Sequence, residues 1–264
     1  ANTIDIIDPR DRLENKSEIC VKPKNTQEIS KILKLANKFT IPIIPIGGST
    51  GLVGGQIASQ SNHVTLSLEK LDTINFFKDS NLLYVQSGAI LSNIKKLAFN
   101  NGRLFPLSLA SEGSCQIGGN LATNAGGLNV VKYGNVRDLC LGLEAVLPCG
   151  QIVSTMKPLK KNNMGFDLKN LLIGSEGTLG IITSTILKTF PIPKDPVSIF
   201  LSINNLADVL FVFEKISREF SERILAFELI KMTGIDFIKE TGFTIKNPFN
   251  KKTNWKVLIE IDVN

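Results

Sequence analysis

Apolar residues at Ile29, Ile32, Leu33 and Ala36 recur at i, i+3, i+4 and i+7, the period of a helix with one buried face. Asn25-Thr26-Gln27-Glu28 supplies a cap residue and a first-turn acid, so the helix starts there and ends near Phe39. The period then changes. Ile41-Pro42-Ile43-Ile44-Pro45-Ile46 reads as a short strand, and its prolines, which cannot donate to a ladder, place it at a sheet edge or where pairing stops. It runs into a glycine-rich loop, 47–55. Strands are expected over 64–68 and 82–86, and a helix over 91–100 with Leu91, Ile94 and Ala98 on one face. After a long irregular glycine-rich section, 143–147 and 151–155 flank Pro148-Cys149-Gly150 as a hairpin, and 180–187 forms a β-branched strand. Pro191-Ile192-Pro193 breaks the pattern and marks a boundary. Beyond it the order is strand 197–203, helix 206–220, strand 224–231 and strand 257–261, the start of a second α+β domain.

Composition narrows the class. With 264 residues, 43% hydrophobic and 20% charged, the chain has the profile of a globular protein. Its apolar runs are strand-sized, well short of the roughly 18 residues that span a bilayer. Ala1–Asp5 show no basic segment followed by an apolar block, which predicts no secretory leader. The net charge of +6 comes from scattered lysines; the densest run, Lys157-Pro158-Leu159-Lys160-Lys161, lacks aromatics that could stack bases, so no nucleic-acid partner is expected. Cys20, Cys115, Cys140 and Cys149 form no CxxC pair, and reduced, partly buried thiols in a cytoplasmic-type compartment are expected. A single histidine and no paired cysteines argue against a metal site. Cys115 beside a glycine-rich run is expected to be a packing residue, and His63 an exposed loop residue ahead of a strand.

Three glycine-rich clusters carry the chemistry. In Gly47-Gly48-Ser49-Thr50-Gly51-Leu52-Val53-Gly54-Gly55, backbone N–H groups can converge on a phosphate without Cβ obstruction. No Gly-Lys-Ser/Thr follows, and the spacing is not that of a dinucleotide fingerprint. Ile117-Gly118-Gly119-Asn120-Leu121-Ala122-Thr123-Asn124-Ala125-Gly126-Gly127 combines small residues with amides and a hydroxyl, a run able to lie flat against a planar ligand; a tightly packed crossover is the alternative. Gly174 to Thr183, alone, is a turn into a strand.

In this order and spacing the clusters resemble the flavin domain of the vanillyl-alcohol-oxidase superfamily, in its D-lactate and D-2-hydroxyglutarate dehydrogenase branch. The resemblance runs from about Lys22 to the end of the chain. It is carried by Pro45-Ile46-Gly47-Gly48-Ser49-Thr50-Gly51-Leu52, Pro106-Leu107-Ser108-Leu109, Gly113-Ser114-Cys115, the 117–127 run, Lys132-Tyr133-Gly134, Leu141-Gly142-Leu143-Glu144, Gly165-Phe166-Asp167-Leu168 and Glu176 to Thr183.

The resemblance implies an α+β, two-lobed FAD-binding domain over 1–192, with lobes of about 1–72 and 73–192. The start of an α+β substrate (cap) domain over 193–264 would follow. It implies FAD as cofactor, with the pyrophosphate on backbone N–H groups from Gly47 to Gly51, flanked by Pro45, Ile46 and Leu52. Pro106, Leu107, Gly113, Ser114, Ile117, Gly118, Gly119, Ala122, Thr123, Asn124, Gly126 and Gly127 would line the ribityl chain and isoalloxazine. Ile182 would meet the adenine through its backbone, with Glu176, Gly177, Gly180 and Ile181 nearby. Some relatives tether flavin through a histidine in the first loop; Ser49 stands here, so non-covalent flavin is expected. Two positions depart from the pattern: Ile46 replaces a common arginine, and Pro148-Cys149-Gly150 an Ala-Asp-Gly.

The resemblance implies a small 2-hydroxyacid substrate, held largely by the second domain and a C-terminal segment with a histidine motif. Removing a hydroxyl proton requires a base or a metal at the substrate, and no residue of this chain is assigned that role. Three readings follow: the FAD-binding fragment of a D-2-hydroxyacid dehydrogenase passing electrons to an unassigned acceptor, a split-gene subunit requiring a partner chain, or a non-catalytic remnant. An enolpyruvyl-sugar reductase fits the 117–127 run less well. A second domain that stops early is expected to expose an apolar face.

Overall fold

The computed structural model describes residues 6–159, 161–244, 248–249 and 253–264. Ala1–Asp5 and Lys160, which entered the arguments on a leader and on the basic run, lie outside the described residues. Two compact units form: Ala1–Gly126 with Asn135–Ile192, and Gly127–Gly134 with Pro193–Asn264.

The first unit opens with β1 (Ile19–Val21), α1 (Thr26–Lys38), β2 (Ile43–Ile46) and β3 (Val64–Ser67). The strands make a parallel sheet in the order β1-β3-β2. Helix α1 starts where its sequence predicts: Asn25 accepts from Glu28 N at 2.9 Å, while the Glu28 carboxylate accepts from Lys24 N. Such a cap contributes about 1 kcal/mol. Ile29, Leu33 and Ala36 are its buried stripe. Strand β2 carries Pro45 and pairs with β3 alone, at the edge where a missing N–H costs no ladder bond.

The rest of this unit holds β4 (Ile74–Phe77), β5 (Leu82–Gln86), α2 (Leu91–Asn100), β6 (Arg103–Leu104) and α3 (Ile117–Ala122). After α4 (Val130–Tyr133), which belongs to the second unit, come α5 (Val136–Leu139), β7 (Cys140–Val146), β8 (Ile152–Ser154), α6 (Leu168–Leu172), β9 (Ile181–Lys188) and β10 (Phe190–Pro191). A five-stranded antiparallel sheet forms in the order β4-β5-β9-β7-β8, and β6 pairs with β10. β9, buried along its length, is the central strand. The two sheets share one core, because Ile29 and Leu33 of α1, Leu66 of β3 and Leu68 just after it pack with Val146 of β7 and Ile181 of β9. Glu144 ties them further, accepting from Thr26 Oγ1 at 2.7 Å and Thr183 Oγ1 at 2.8 Å.

The second unit contains β11 (Pro196–Ile203), α7 (Leu206–Phe220), β12 (Ile224–Lys231), α8 (Met232–Glu240) and β13 (Trp255–Asp262). Its antiparallel sheet runs β11-β13-β12. Val257, Ile259 and Ile261 alternate onto the face packed by Val209 of α7. Leu210, Phe211 and Phe237 remain exposed. One excursion is absent from the sequence reading of an unbroken 1–192 domain: α4 packs on β12, where Asn129 Nδ2 donates to Leu225 O at 3.2 Å. Helix α4 buries none of its own residues, so no periodicity signals this attachment. Among the described residues, no helix is long and apolar enough to cross a membrane.

Candidate functional site

A cleft of about 930 Å³, part of it open to solvent, lies in the first unit where the two sheets meet. The loop after β2 forms one wall, α3 another, and the turn before β9 the third. The three glycine-rich clusters, far apart in sequence, therefore face one space.

The first wall is the loop 47–51. None of its five backbone N–H groups donates to a protein acceptor among the described residues. Gly48 lets the loop lie against the neighbouring 114–115 backbone: a Cβ there would stand 2.1 Å from Ser114 O. Ser49 holds φ 52°, a left-handed conformation uncommon without glycine.

The second wall is α3: within the section read from sequence as irregular, Ile117 to Ala122 form a short helix. Its opening amides are held by tertiary partners, Ile117 N on Ala89 O and Gly118 N on Ser87 O. Gly118 is needed for that approach, since its Cβ would meet Ser87 Cβ at 2.6 Å. Gly119 differs. It lines the cleft, and a Cβ on it would meet nothing within 4 Å.

The third wall is the turn 176–182. Gly174 N and Glu176 N donate to Leu121 O and Ala122 O, covering the carbonyl end of α3. Asn124 and Glu176 take φ of 47° and 53°, and Asn124 Oδ1 accepts from Arg137 N. Strained backbone of this kind persists where the surroundings over-determine it, and it collects at ligand sites. Gly177, at φ +80°, also abuts Pro45.

Of the residues expected from sequence, Pro45 to Gly51, Gly118, Gly119, Ala122, Thr123, Glu176, Gly177, Gly180, Ile181 and Ile182 line the cleft. Leu52, Pro106, Leu107, Gly113, Ser114, Ile117, Asn124, Gly126 and Gly127 are not in its lining. Leu107 and Ile117 are core residues, Gly113 and Ser114 are exposed, and Gly127 opens the segment of the second unit. The Ile182 carbonyl accepts from Ser87 Oγ at 2.5 Å.

The cleft also brings in residues the sequence did not single out, among them Gln56, Gln116 and Asn120. Gln116 Oε1 and Asn120 Oδ1 are buried without a hydrogen-bond partner among the described residues. Whichever way these amides are turned, each leaves a polar atom to satisfy, at a cost of about 1–3 kcal/mol if left unmet. They stand four residues apart, one helical turn, a signal visible once α3 is known to be a helix.

The side chains lining the cleft include no lysine or arginine, and Glu176 is the charged one. An anionic guest would rely on backbone N–H groups. Cys115 borders the cleft but is buried. His63 is half-buried rather than exposed, and its Nδ1 is enclosed with no hydrogen-bond partner among the described residues. The four cysteines are free, and Cys149 is exposed. Burial pushes the Cys140 thiol above its ordinary range, and its hydrogen bonds with the Thr185 hydroxyl and the Gly142 backbone oppose that rise without cancelling it.

A family model described as "FAD binding domain" matches residues 17–156, just over half of the chain. The chain belongs to the FAD-binding domain family. FAD is accordingly its cofactor, and the residues present fit it: convergent amides for a diphosphate, an open glycine wall, and two unmet amide groups. The chain is 34% identical over 250 residues to the mitochondrial D-2-hydroxyglutarate dehydrogenase of Arabidopsis thaliana, covering 94% of this chain and 44% of that protein. It is 34% identical to the D-2-hydroxyglutarate–pyruvate transhydrogenase of Saccharomyces cerevisiae, covering 94% of this chain and 50% of that one. The chain thus spans about half the length of these relatives. Among solved structures, alkyldihydroxyacetonephosphate synthase superposes with a TM-score of 0.76 at 23% identity, over 95% of this chain and 48% of that one, which shows a shared fold. The α+β FAD-binding domain expected from sequence is therefore present.

Proposed function

We propose that this chain is the FAD-binding portion of a flavin-linked dehydrogenase that oxidises a D-2-hydroxyacid, such as D-lactate or D-2-hydroxyglutarate, to the 2-oxoacid. The observation that carries this is the cleft, where three glycine-rich segments meet in a domain with relatives named for that chemistry. Bound FAD would supply a two-electron acceptor. The chain's own part is to hold it: the 47–51 amides take the diphosphate, Gly119 and Ala122 admit the flat ring system, and Gln116 and Asn120 bond its polar edge. With serine at position 49 and no histidine in the cleft lining, the cofactor is held without a covalent tether.

No group of the cleft is placed as the base for the substrate hydroxyl. Among the described residues, no cluster of His, Cys, Asp and Glu could hold a metal ion. We assign proton removal to residues supplied from outside this stretch, in the same polypeptide or in a partner chain. Free thiols support a reducing compartment, cytoplasmic or of the mitochondrial kind that the relatives' names give for those proteins.

Purified protein incubated with excess FAD and desalted is expected to keep flavin absorbance, and acid precipitation to release all of it into solution. Colourless protein would refute the reading. The chain by itself is expected to leave its flavin oxidised in the presence of D-2-hydroxyglutarate or D-lactate; bleaching would show that the base lies here after all.

A further inference from the structure

We propose that Arg12 is a positioning residue for the anion-binding loop, the working point of an N-terminal strap that holds the loop in its liganding shape. The proposal rests on reading the cleft as the FAD site. The strap is built around Asp8, which is 2% exposed and accepts from Arg12 N at 2.9 Å and Arg10 N at 3.3 Å. Its carboxylate also lies 3.6 Å from Arg12 Nε, so both the backbone and the side chain of Arg12 are fixed by one group. The Arg12 guanidinium then donates to Leu52 O across 40 residues of sequence.

That bond has a directional consequence. In a trans peptide the C=O and N–H point opposite ways. Arg12 lies outside the cleft lining and Val53 lies within it. Holding Leu52 O on Arg12 turns the Val53 N–H away from the strap. Two further contacts keep the loop in place. Leu13 fills the space beside Gly54, where a Cβ would sit 2.3 Å from Leu13 Cδ1, and Gly54 has φ +82°. At the far end, Lys16 N donates to Ala58 O at 2.9 Å and Ala58 N to Asn15 Oδ1 at 3.0 Å.

Among the described residues the cleft lining has no cationic side chain, and the Arg12 guanidinium, paired with Asp8, reaches the loop through Leu52 O. A loop ordered before ligand arrives loses less freedom on binding. Ordinary packing of an N-terminal segment would affect stability alike with or without ligand; the positioning role makes a narrower claim about phosphate-bearing flavin.

The test compares the wild-type chain with Arg12→Ala and Arg12→Lys, titrated with FAD and with riboflavin, which lacks the diphosphate. Arg12→Ala is expected to weaken FAD about tenfold, the equivalent of about 1.4 kcal/mol, and to shift riboflavin less than about twofold, while Arg12→Lys recovers most of the loss. Equal weakening of both ligands, or unchanged FAD affinity, would overturn the proposal. Backbone ¹⁵N order parameters of the ligand-free chain give a readout independent of FAD. Residues 51–54 are expected to become mobile in Arg12→Ala, and unchanged order there would overturn it too. A wild-type chain that binds no FAD would refute the proposed function, and the order parameters would still judge the strap.

Discussion

Gly118 and Gly119 are chain neighbours on one short helix, yet the structure assigns them opposite responses to the same added methyl group. On Gly118 the methyl would stand 2.6 Å from Ser87 Cβ and 3.0 Å from Ser87 O, so α3 must shift off its backbone partner. Overpacking of this kind costs about 1–3 kcal/mol, lowering Tm by about 2–4 °C per kcal/mol for a chain of this size. On Gly119 the methyl meets no protein atom within 4 Å. The ligand-free Gly119→Ala chain should therefore gain up to about 1 kcal/mol from better helix propensity. With FAD the sign reverses, because the methyl occupies space the cofactor needs. An overpacking cost of about 1–3 kcal/mol weakens binding by about 5- to 150-fold. Take a 50-fold loss and FAD at 100 times the wild-type Kd. Ligand then stabilises the wild type by about 2.7 kcal/mol and the variant by about 0.6 kcal/mol. Thermal melts with and without FAD would thus rank Gly119→Ala above wild type when empty and below it when loaded, with Gly118→Ala below wild type in the empty state. A Gly119→Ala chain that binds FAD within twofold of wild type, or that melts lower when empty, would refute the assignment of this wall.

Two other predictions concern charge. Lys256 on β13 is 1% exposed, and its ammonium bonds to Ser202 Oγ at 2.9 Å and Thr253 Oγ1 at 2.6 Å, with the Phe249 ring 4.5 Å away and no carboxylate among these partners. Lys256→Met keeps the length, removes a buried charge and leaves the 2.6 Å Ser202–Thr253 bond in place. In urea it should be as stable as wild type or more so, whereas Lys256→Ala should lose about 2–5 kcal/mol through the cavity it leaves, by analogy with long apolar side chains; a loss above about 1 kcal/mol for the methionine variant would show that the ammonium is a net stabiliser. Asp8 is held below the ordinary carboxylate range, chiefly by the Arg12 N–H. Its contribution should be complete above the unfolded carboxylate value, about 3.9, and vanish as pH falls through its lower folded value. Acid titration of Asp8→Asn should lack that component, and identical acid profiles for the two chains would refute it.

Much of the architecture was legible before any coordinates. Helix α1 announced itself by Asn25 and its stripe, and α2 and α7 lie where their periodicity placed them. The proline-bearing β2 sits at a sheet edge as its missing donor requires. Helix α3 was not legible, because Ile117-Gly118-Gly119-Asn120 has low helix propensity and is held by carbonyls of Ser87 and Ala89 some 30 residues earlier. Gln116 escaped notice with it, and Asn120 figured only as one amide of the 117–127 run: without the helix, nothing marks them as sharing a side. Arg12 escaped because its partner, Leu52 O, is a backbone atom distant in sequence.

Local sequence, then, determined the longer elements such as α1, α2 and α7 and the presence of a flavin-type loop, since caps, periodicity and glycine chemistry act within a few residues. The tertiary structure decided which residues bound the cleft. It alone brings segments around 47, 119 and 177 to one space, and it turns Ile117 into the core while leaving Gly119 open to the cofactor. The physical reason is that glycine specifies what the backbone is able to approach, while the partner it approaches is chosen by packing between two sheets.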